Sequence, residues 1–301
     1  TEMQVEGTVS SVNRLAQDLA AVNQRIIETR GSAHTPNDLF DQRDQLVSQP
    51  NRYVQTATIP SDDGTVSVFV AGSQPLVLGN QAATLSIDDP IDFGAGSGKK
   101  VLSFLAPGSS TKVELNESML GGGQVAGLLR FQNNDLAEGR NLLGRMAIAI
   151  SESMNTQNRL GLTLNGQPGE NLFAPISLGN ATPSNFNTST ATMALTVADP
   201  TALQASSYTV SFTAGDAGSV TRHSDGKVFN FDGSALPPVT VASVFSAQGL
   251  GVTLSGAVNA GDPFVINSLQ GAAAELQAPQ YPPTDLAAAN PVHAALGAAD
   301  G

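Results

Sequence analysis

The sequence predicts an α+β protein. Long amphipathic helices form an elongated, rod-like helical domain that carries a β-hairpin module, and a separate, mostly antiparallel β domain follows. Three observations predict this. An apolar stripe at helical spacing runs through residues 1–30. The period switches to two from about residue 52 and back to helical after Gly121-Gly122-Gly123. Short β-branched runs punctuated by turn residues then fill 162–270.

The first element rests on Val5, Val9, Val12, Leu15, Leu19, Val22 and Ile26, which share one helical face close to a heptad seam. Asn13, Gln17, Asp18 and Gln24 read as the opposite, polar face, and Gly31-Ser32 as the end. Such a stripe calls for partner helices, because an isolated amphipathic helix buries nothing. A short helix follows over 35–48, with Thr35 as N-cap, Pro36 in the first turn and Pro50 as its stop. Tyr53–Ile59 and Thr65–Val70 read as a hairpin joined by Ser61-Asp62-Asp63-Gly64. Further short strands are expected at 75–78, 83–87, 101–105 and 112–115, completing a module over about 50–118.

Past the three glycines, Val125, Leu128, Leu129, Leu136, Leu142, Leu143, Met146, Ile150 and Met154 mark one helix over 122–158. Its length of about 50 Å suits a rod better than a small globule. The helical domain is thus drawn as 1–161, the β domain as 162–268, and 269–301 as a partly disordered return segment toward the helices. Strands are expected at 192–197, 207–213, 218–223, 227–231, 239–241, 252–255 and 262–266, with turns at Asp225-Gly226 and Asp232-Gly233.

Composition narrows the function. The 14 Lys and Arg against 26 Asp and Glu leave a net charge of −12, which provides no electrostatic footprint for nucleic acid or an anionic membrane. With no cysteine there is no disulfide, thiolate nucleophile or Cys-based metal site, and the three histidines lie far apart in sequence. No apolar run is long enough to span a bilayer. The chain begins without Met inside a helical pattern and stops in a low-complexity stretch, so both ends read as cut from a longer protein.

Motifs that suggest chemistry have simpler readings. Gly121-x-Gly123-x-x-Ala126 matches a dinucleotide fingerprint in letters, yet no apolar strand precedes it and no βαβ unit follows; it reads as a flexible entry to a helix. Residues 94–100 resemble a P-loop tail with the wrong spacing, because Phe93 and Lys100 stand where Gly and Ser or Thr belong. Asp62-Asp63 and Asp88-Asp89 fall in turns, where Asp bonds backbone. His223 near Asp225 has no nucleophile motif to serve. No catalytic, cofactor-binding or metal-binding residue is assigned.

The densest charged motif is Asp38-Leu39-Phe40-Asp41-Gln42-Arg43-Asp44-Gln45-Leu46. Arg43 shares a helical face with Leu39, Leu46 and Val47. Its stem is expected to lie along the apolar seam, with the guanidinium offered to carboxylates on a neighbouring element, anchoring the short helix.

Residues 35–47, read as Thr35-Pro-Asn-Asp-Leu-Phe-Asp-Gln-Arg-Asp-Gln-Leu-Val47, closely resemble the Asn-Asp-Leu-Leu-Asp-Gln-Arg-Asp-x-Leu signature of the flagellar hook-associated protein 1 family, the hook–filament junction proteins. The segments 121–136 and 143–158, the latter ending Asn155-Thr-Gln157, resemble that family's second long helix. Gly161 to Phe173 resembles its link, and Ser207–Phe212 with Gly261-Asp-Pro-Phe264 its β domain. Here Ser48-Gln49-Pro50 interrupts the family's continuation of the short helix, so that helix ends earlier.

The resemblance implies a structural protein of the bacterial flagellum, extracellular and exported by the flagellar type III pathway without a cleaved signal peptide. Its implied partners are copies of itself, hook protein, neighbouring junction and filament subunits, and an export chaperone that binds a C-terminal segment absent from these residues. No nucleic acid, membrane or cofactor is implied. Asp38, Leu39, Asp41, Gln42, Arg43, Asp44, Leu46, Asn155 and Gln157 become structural-motif residues, and the chain alone is expected to be monomeric. The alternatives are another flagellar axial or phage-tail-like protein, and a hydrolase with acids converging in a cleft.

Overall fold

The first helix forms where the stripe predicts it. In a computed structural model describing residues 2–29 and 36–289, α1 spans Glu2–Glu28, with Val5, Val9, Val12, Leu15, Leu19, Val22 and Ile26 all buried. Thr35, Gly31-Ser32 and the end of the return segment lie outside the described residues. The chain divides into two units, Thr1–Ala137 and Glu138–Gly301, each built around its own core.

In the first unit α2 (Asn37–Ser48) packs on α1 and is followed by a 3-10 turn at Pro50–Arg52. Pro50 stops the helix as expected, and it moves the start of β1 to Thr56, three residues after Tyr53. β1 (Thr56–Pro60), β2 (Val66–Val70), β3 (Gln74–Leu78) and β4 (Gln81–Ala82) make a four-stranded antiparallel sheet. β5 (Thr84–Asp88), β6 (Val101–Leu105) and β7 (Lys112–Leu115) make a three-stranded one. α3 (Gln124–Arg130) closes the core, where Val9, Val12 and Leu19 meet Val68, Leu76, Leu85, Leu102, Phe104 and Leu129. The α1 stripe is therefore covered by sheets as well as by α2 and α3, not by helices alone.

The glycines before α3 permit a close approach rather than flexibility. Gly123 has φ +99°, and a Cβ there would sit 2.7 Å from the Tyr53 carbonyl oxygen. Val125 N–H donates to that oxygen at 2.8 Å, and Gln55 N–H donates to the Gly122 carbonyl at 3.2 Å.

The single helix expected over 122–158 is interrupted. A π-helical turn, Phe131–Asp135, separates α3 from α4 (Leu136–Leu160). Most of α4 belongs to the second unit. Its buried face is Asn141, Gly144, Ala147, Ile148, Ser151, Asn155 and Asn158. Leu142, Leu143, Met146, Ile150 and Met154, the apolar residues that mark this helix in the sequence, are exposed.

The rest of the second unit is mostly strand: β8 (Thr182–Pro183), β9 (Thr192–Val197), β10 (Tyr208–Phe212), β11 (Ala217–Arg222) and β12 (Val228–Asp232). A short helix, α5 (Val241–Ser246), precedes β13 (Leu250–Ser255), β14 (Pro263–Ile266) and α6 (Leu269–Ala272). The five-stranded sheet runs β12-β11-β10-β14-β8, and β13 pairs with β9. Every pairing is antiparallel. Of the strand expected at 239–241 only Val239 pairs, in an isolated antiparallel bridge to Asp232; α5 starts at Val241, because the Thr240 hydroxyl caps it by accepting Ser243 N–H at 3.1 Å. Tyr208–Phe245, Phe212–Phe231 and Phe212–Phe264 stack edge to face at 5.3–6.0 Å in the core. Gly144 lets α4 meet α6, since a Cβ there would fall 1.9 Å from the Leu269 carbonyl oxygen.

The β11–β12 turn forms at Asp225-Gly226 as expected. Arg222 Nε and Nη2 donate to the two Asp225 carboxylate oxygens at 2.9 and 2.6 Å. That guanidinium, helped by Lys227 N–H, holds the Asp225 carboxyl down at about 2. A depressed carboxyl stabilises the fold above its ordinary value, and the contribution is lost as pH falls through about 2. Arg222→Ala is expected to raise the Asp225 midpoint toward the ordinary carboxylate value in a side-chain NMR titration; an unmoved midpoint would refute the assigned cause.

Candidate functional site: helix asparagines and the short-helix motif

Two kinds of contact dominate the polar chemistry. The first recurs five times: a helix asparagine places its amide against the backbone of an extended segment. From α1, Asn13 donates to the Leu85 carbonyl and accepts Leu85 N–H, both at 2.8 Å. Asn23, fully buried, donates to the carbonyls of Val66 (2.9 Å) and Gly79 (2.7 Å) and accepts Val66 N–H at 3.2 Å. In the π turn, Asn133 brackets Lys100 at 2.8 and 2.9 Å. On α4, Asn155 brackets Phe173 at 3.0 and 2.8 Å. Asn158 donates to the Glu170 carbonyl (2.7 Å) and accepts Ala287 N–H (3.0 Å).

The geometry has a simple cause. A primary amide carries the same donor and acceptor as a peptide group. β5 is an edge strand, and β2 has no β3 partner before Val68. Asn13 and Asn23 therefore supply the ladder bonds that a missing strand would have made, and the other three pair backbone groups outside the sheets, where a buried orphan costs about 1–3 kcal/mol.

The second contact is Arg43. Its Nη1 donates to the Gly64 carbonyl in the β1–β2 turn, its Nε and Nη2 donate to Asp44 Oδ1 at 2.9 and 2.7 Å, and the guanidinium lies 5.0 Å from the Phe40 ring centre. The turn is tight: Gly64 has φ +84°, and a Cβ there would meet Phe40 at 3.0 Å and Ile26 at 3.4 Å. Arg43 thus bolts α2 to a hairpin turn. Its carboxylate partner is the adjacent Asp44 rather than one on another element.

Several other charged groups are paired locally. Asp63 accepts the Thr65 N–H and hydroxyl, Asp88 pairs with Lys112 at 2.8 Å, and Lys100 bridges Glu2 and Asp89 at 2.9 and 3.0 Å. Hydrogen bonds that Lys100 donates to Glu2 and Asp89 raise its pKa. Among the described residues no group of three His, Asp or Glu side chains is placed to hold a metal, and no helix is long and apolar enough to cross a membrane.

Comparison with known proteins then decides the family. Residues 1–173 match the family described as the flagellar hook-associated protein FlgK helical domain, and residues 182–268 match the D2-like domain of flagellar hook-associated protein 1. The chain belongs to the FlgK family. Flagellar hook-associated protein 1 of Escherichia coli K12 is 30% identical over 273 residues, covering 89% of this chain and 47% of that protein. The Salmonella typhimurium protein is 30% identical over 277 residues, covering 90% and 48%. The structure of the flagellar hook junction protein FlgK from Burkholderia pseudomallei superposes with a TM-score of 0.76 at 30% identity, covering 96% of this chain and 51% of that one. The chain thus spans about half the length of the FlgK relatives it matches.

The nine motif residues read from the resemblance divide between the two units. On α2, Asp38, Asp41, Gln42 and Asp44 are exposed, while Leu39, Arg43 and Leu46 are half-buried, Leu46 against the first core. On α4, Asn155 is buried and Gln157 is exposed. Asn13, Asn23, Asn133 and Asn158 were not singled out, and Asn13 was assigned to a polar face. A signal existed, since Asn13 and Asn23 flank the apolar stripe of α1, but the same pattern describes any polar shoulder.

Arg43→Ala should lower stability by about 1–2 kcal/mol, the loss of one charge-assisted bond and a ring contact. Arg43→Lys should recover less than half of it. An unchanged melting temperature in Arg43→Ala would remove the anchoring role. Asn23→Leu keeps the branching and heavy-atom count of the side chain but orphans Val66 N–H and two carbonyls. It is expected to cost about 2–4 kcal/mol in urea unfolding, against less than about 0.5 kcal/mol for Gln17→Ala on the exposed face.

Proposed function

We propose that this chain is the central part of a structural protein of the bacterial flagellum, an axial adaptor that joins hook to filament through subunit packing and performs no catalysis. Family membership supports the flagellar setting. The observation that carries the packing role is the bare face of α4. Leu143, Met146, Ile150 and Met154 follow one another at helical spacing and are 57%, 58%, 44% and 44% exposed. Met146 lies about 200° around the helix from Gly144, so the exposed stripe backs directly onto the buried one. An apolar stripe of this kind marks a surface that another helix covers.

In this reading the protein works outside the cell, after export by the flagellar pathway without a cleaved signal. Its partners are further copies of itself, hook protein, and neighbouring junction and filament subunits. An export chaperone would engage a C-terminal segment beyond these residues. Residues 1–161 act as an elongated helical domain with the hairpins of 50–118 inserted, 162–268 as a separate outer β domain, and 269–301 as the return. The short-helix motif and the end of α4 serve that architecture, with Arg43 and Asn155 as its bolts. The two matched family segments, 1–173 and 182–268, support that division.

The test is the double substitution Met146→Glu and Ile150→Glu in the complete gene. Both sites are exposed, so the isolated chain should unfold within about 0.5 kcal/mol of the parent. Cells carrying the variant should export the protein yet fail to attach filaments to hooks, scored by electron microscopy. Normal filaments on variant cells would overturn the packing role of this face.

A further inference from the structure

Two chain passes meet at the end of α4. The outgoing pass runs through residues 161–170 and the return pass through 283–289. They are joined by Leu162 N–H to the Ala289 carbonyl (2.8 Å), Ala289 N–H to the Leu162 carbonyl (3.2 Å) and Leu164 N–H to the Thr284 carbonyl (3.2 Å). Asn158 holds both at once through Glu170 and Ala287. The fit leaves no slack. A Cβ on Gly161 would lie 2.2 Å from the Ala287 carbonyl oxygen, and one on Gly169 would lie 2.1 Å from that of Asn158.

What closes this junction differs from what closes the β core of the same unit. None of the residues of either pass belongs to the apolar core of the second unit, and Leu164 and Leu286 are 82% and 43% exposed. Backbone bonds and one side-chain amide do the closing. Segments with many hydrogen bonds and little apolar burial open at lower free energy than a core. Because a single amide bonds both passes, losing it removes a tie from each together.

We infer that the two passes form a strap over the end of α4 that opens and closes as one unit, separately from the β core, with Asn158 as its keystone. The amides of Leu162, Leu164, Ala287 and Ala289 then share one opening equilibrium. Opening uncovers paired extended backbone beside the C-terminal end of α4, without disturbing β10 or β14.

Native-state amide exchange on this chain tests the inference. The four strap amides should exchange at matched protection, faster than those of β10 and β14. Asn158→Ala should speed all four by about tenfold or more and leave β10 and β14 within about twofold. Asn158→Asp retains an acceptor for Ala287 N–H but has no donor for Glu170. It should keep Ala287 protected better than Asn158→Ala does. The inference is overturned if the four amides exchange independently, if Asn158→Ala changes none of them, or if β10 and β14 accelerate by the same factor. It is likewise overturned if the Asp and Ala variants expose Ala287 equally.

Discussion

The side-chain amide standing in for a peptide group is the contact on which this structure depends. Helices laid against strands leave unpaired backbone wherever a sheet stops short, and such groups are costly once dry. Asparagine answers with a donor and an acceptor on a short stem that loses little rotamer freedom. Asn13 and Asn23 tie α1 to the two sheets of the first unit, Asn133 ties the π turn to the start of β6, and Asn155 and Asn158 tie α4 to the link that follows it. Apolar burial supplies the bulk of the stability in both cores. The amides choose the register, since a slip by one residue would leave both partners orphaned.

Arg43 plays the corresponding part where no sheet edge is involved. α2 buries no residue completely. It is held by half-buried Leu46 and Val47 and by a guanidinium reaching a carbonyl in a glycine turn. The turn needs glycine because the backbone is left-handed there and the Phe40 ring leaves no room. One short motif thereby fixes two elements, the helix that carries Arg43 and the hairpin that receives it.

Much of the fold was legible. The α1 stripe, the Ser61–Gly64 turn and the strands at 101–105 and 112–115 follow from periodicity and turn chemistry, because each depends on neighbours in sequence. The packed face of α4 was not legible, for a physical reason. Most of the helix's bulky apolar residues look outward, while its packed side, apart from Ile148, is Gly, Ala, Ser and Asn, residues suited to close approach and amide bonding rather than hydrophobicity. The π turn left no periodic trace, since Asn133 is drawn in by Lys100, 33 residues away. Arg43 reaches another element, but through a backbone carbonyl rather than the expected carboxylate, because helical spacing shows which face it lies on and says nothing of a carbonyl 21 residues further along.

The separations spanned by the α1 asparagines bear on how the chain acquires its shape. Asn13 waits for a partner 72 residues later, and Asn23 for partners 43 and 56 residues later. Contacts of such high order close large loops, which slows the search for them. Although it precedes the hairpins in the chain, α1 is thus completed only after them. Until the hairpins arrive, its buried amides must stay hydrated and its valine stripe uncovered, so the N-terminal unit is most open to misassociation at the moment its first element is already formed.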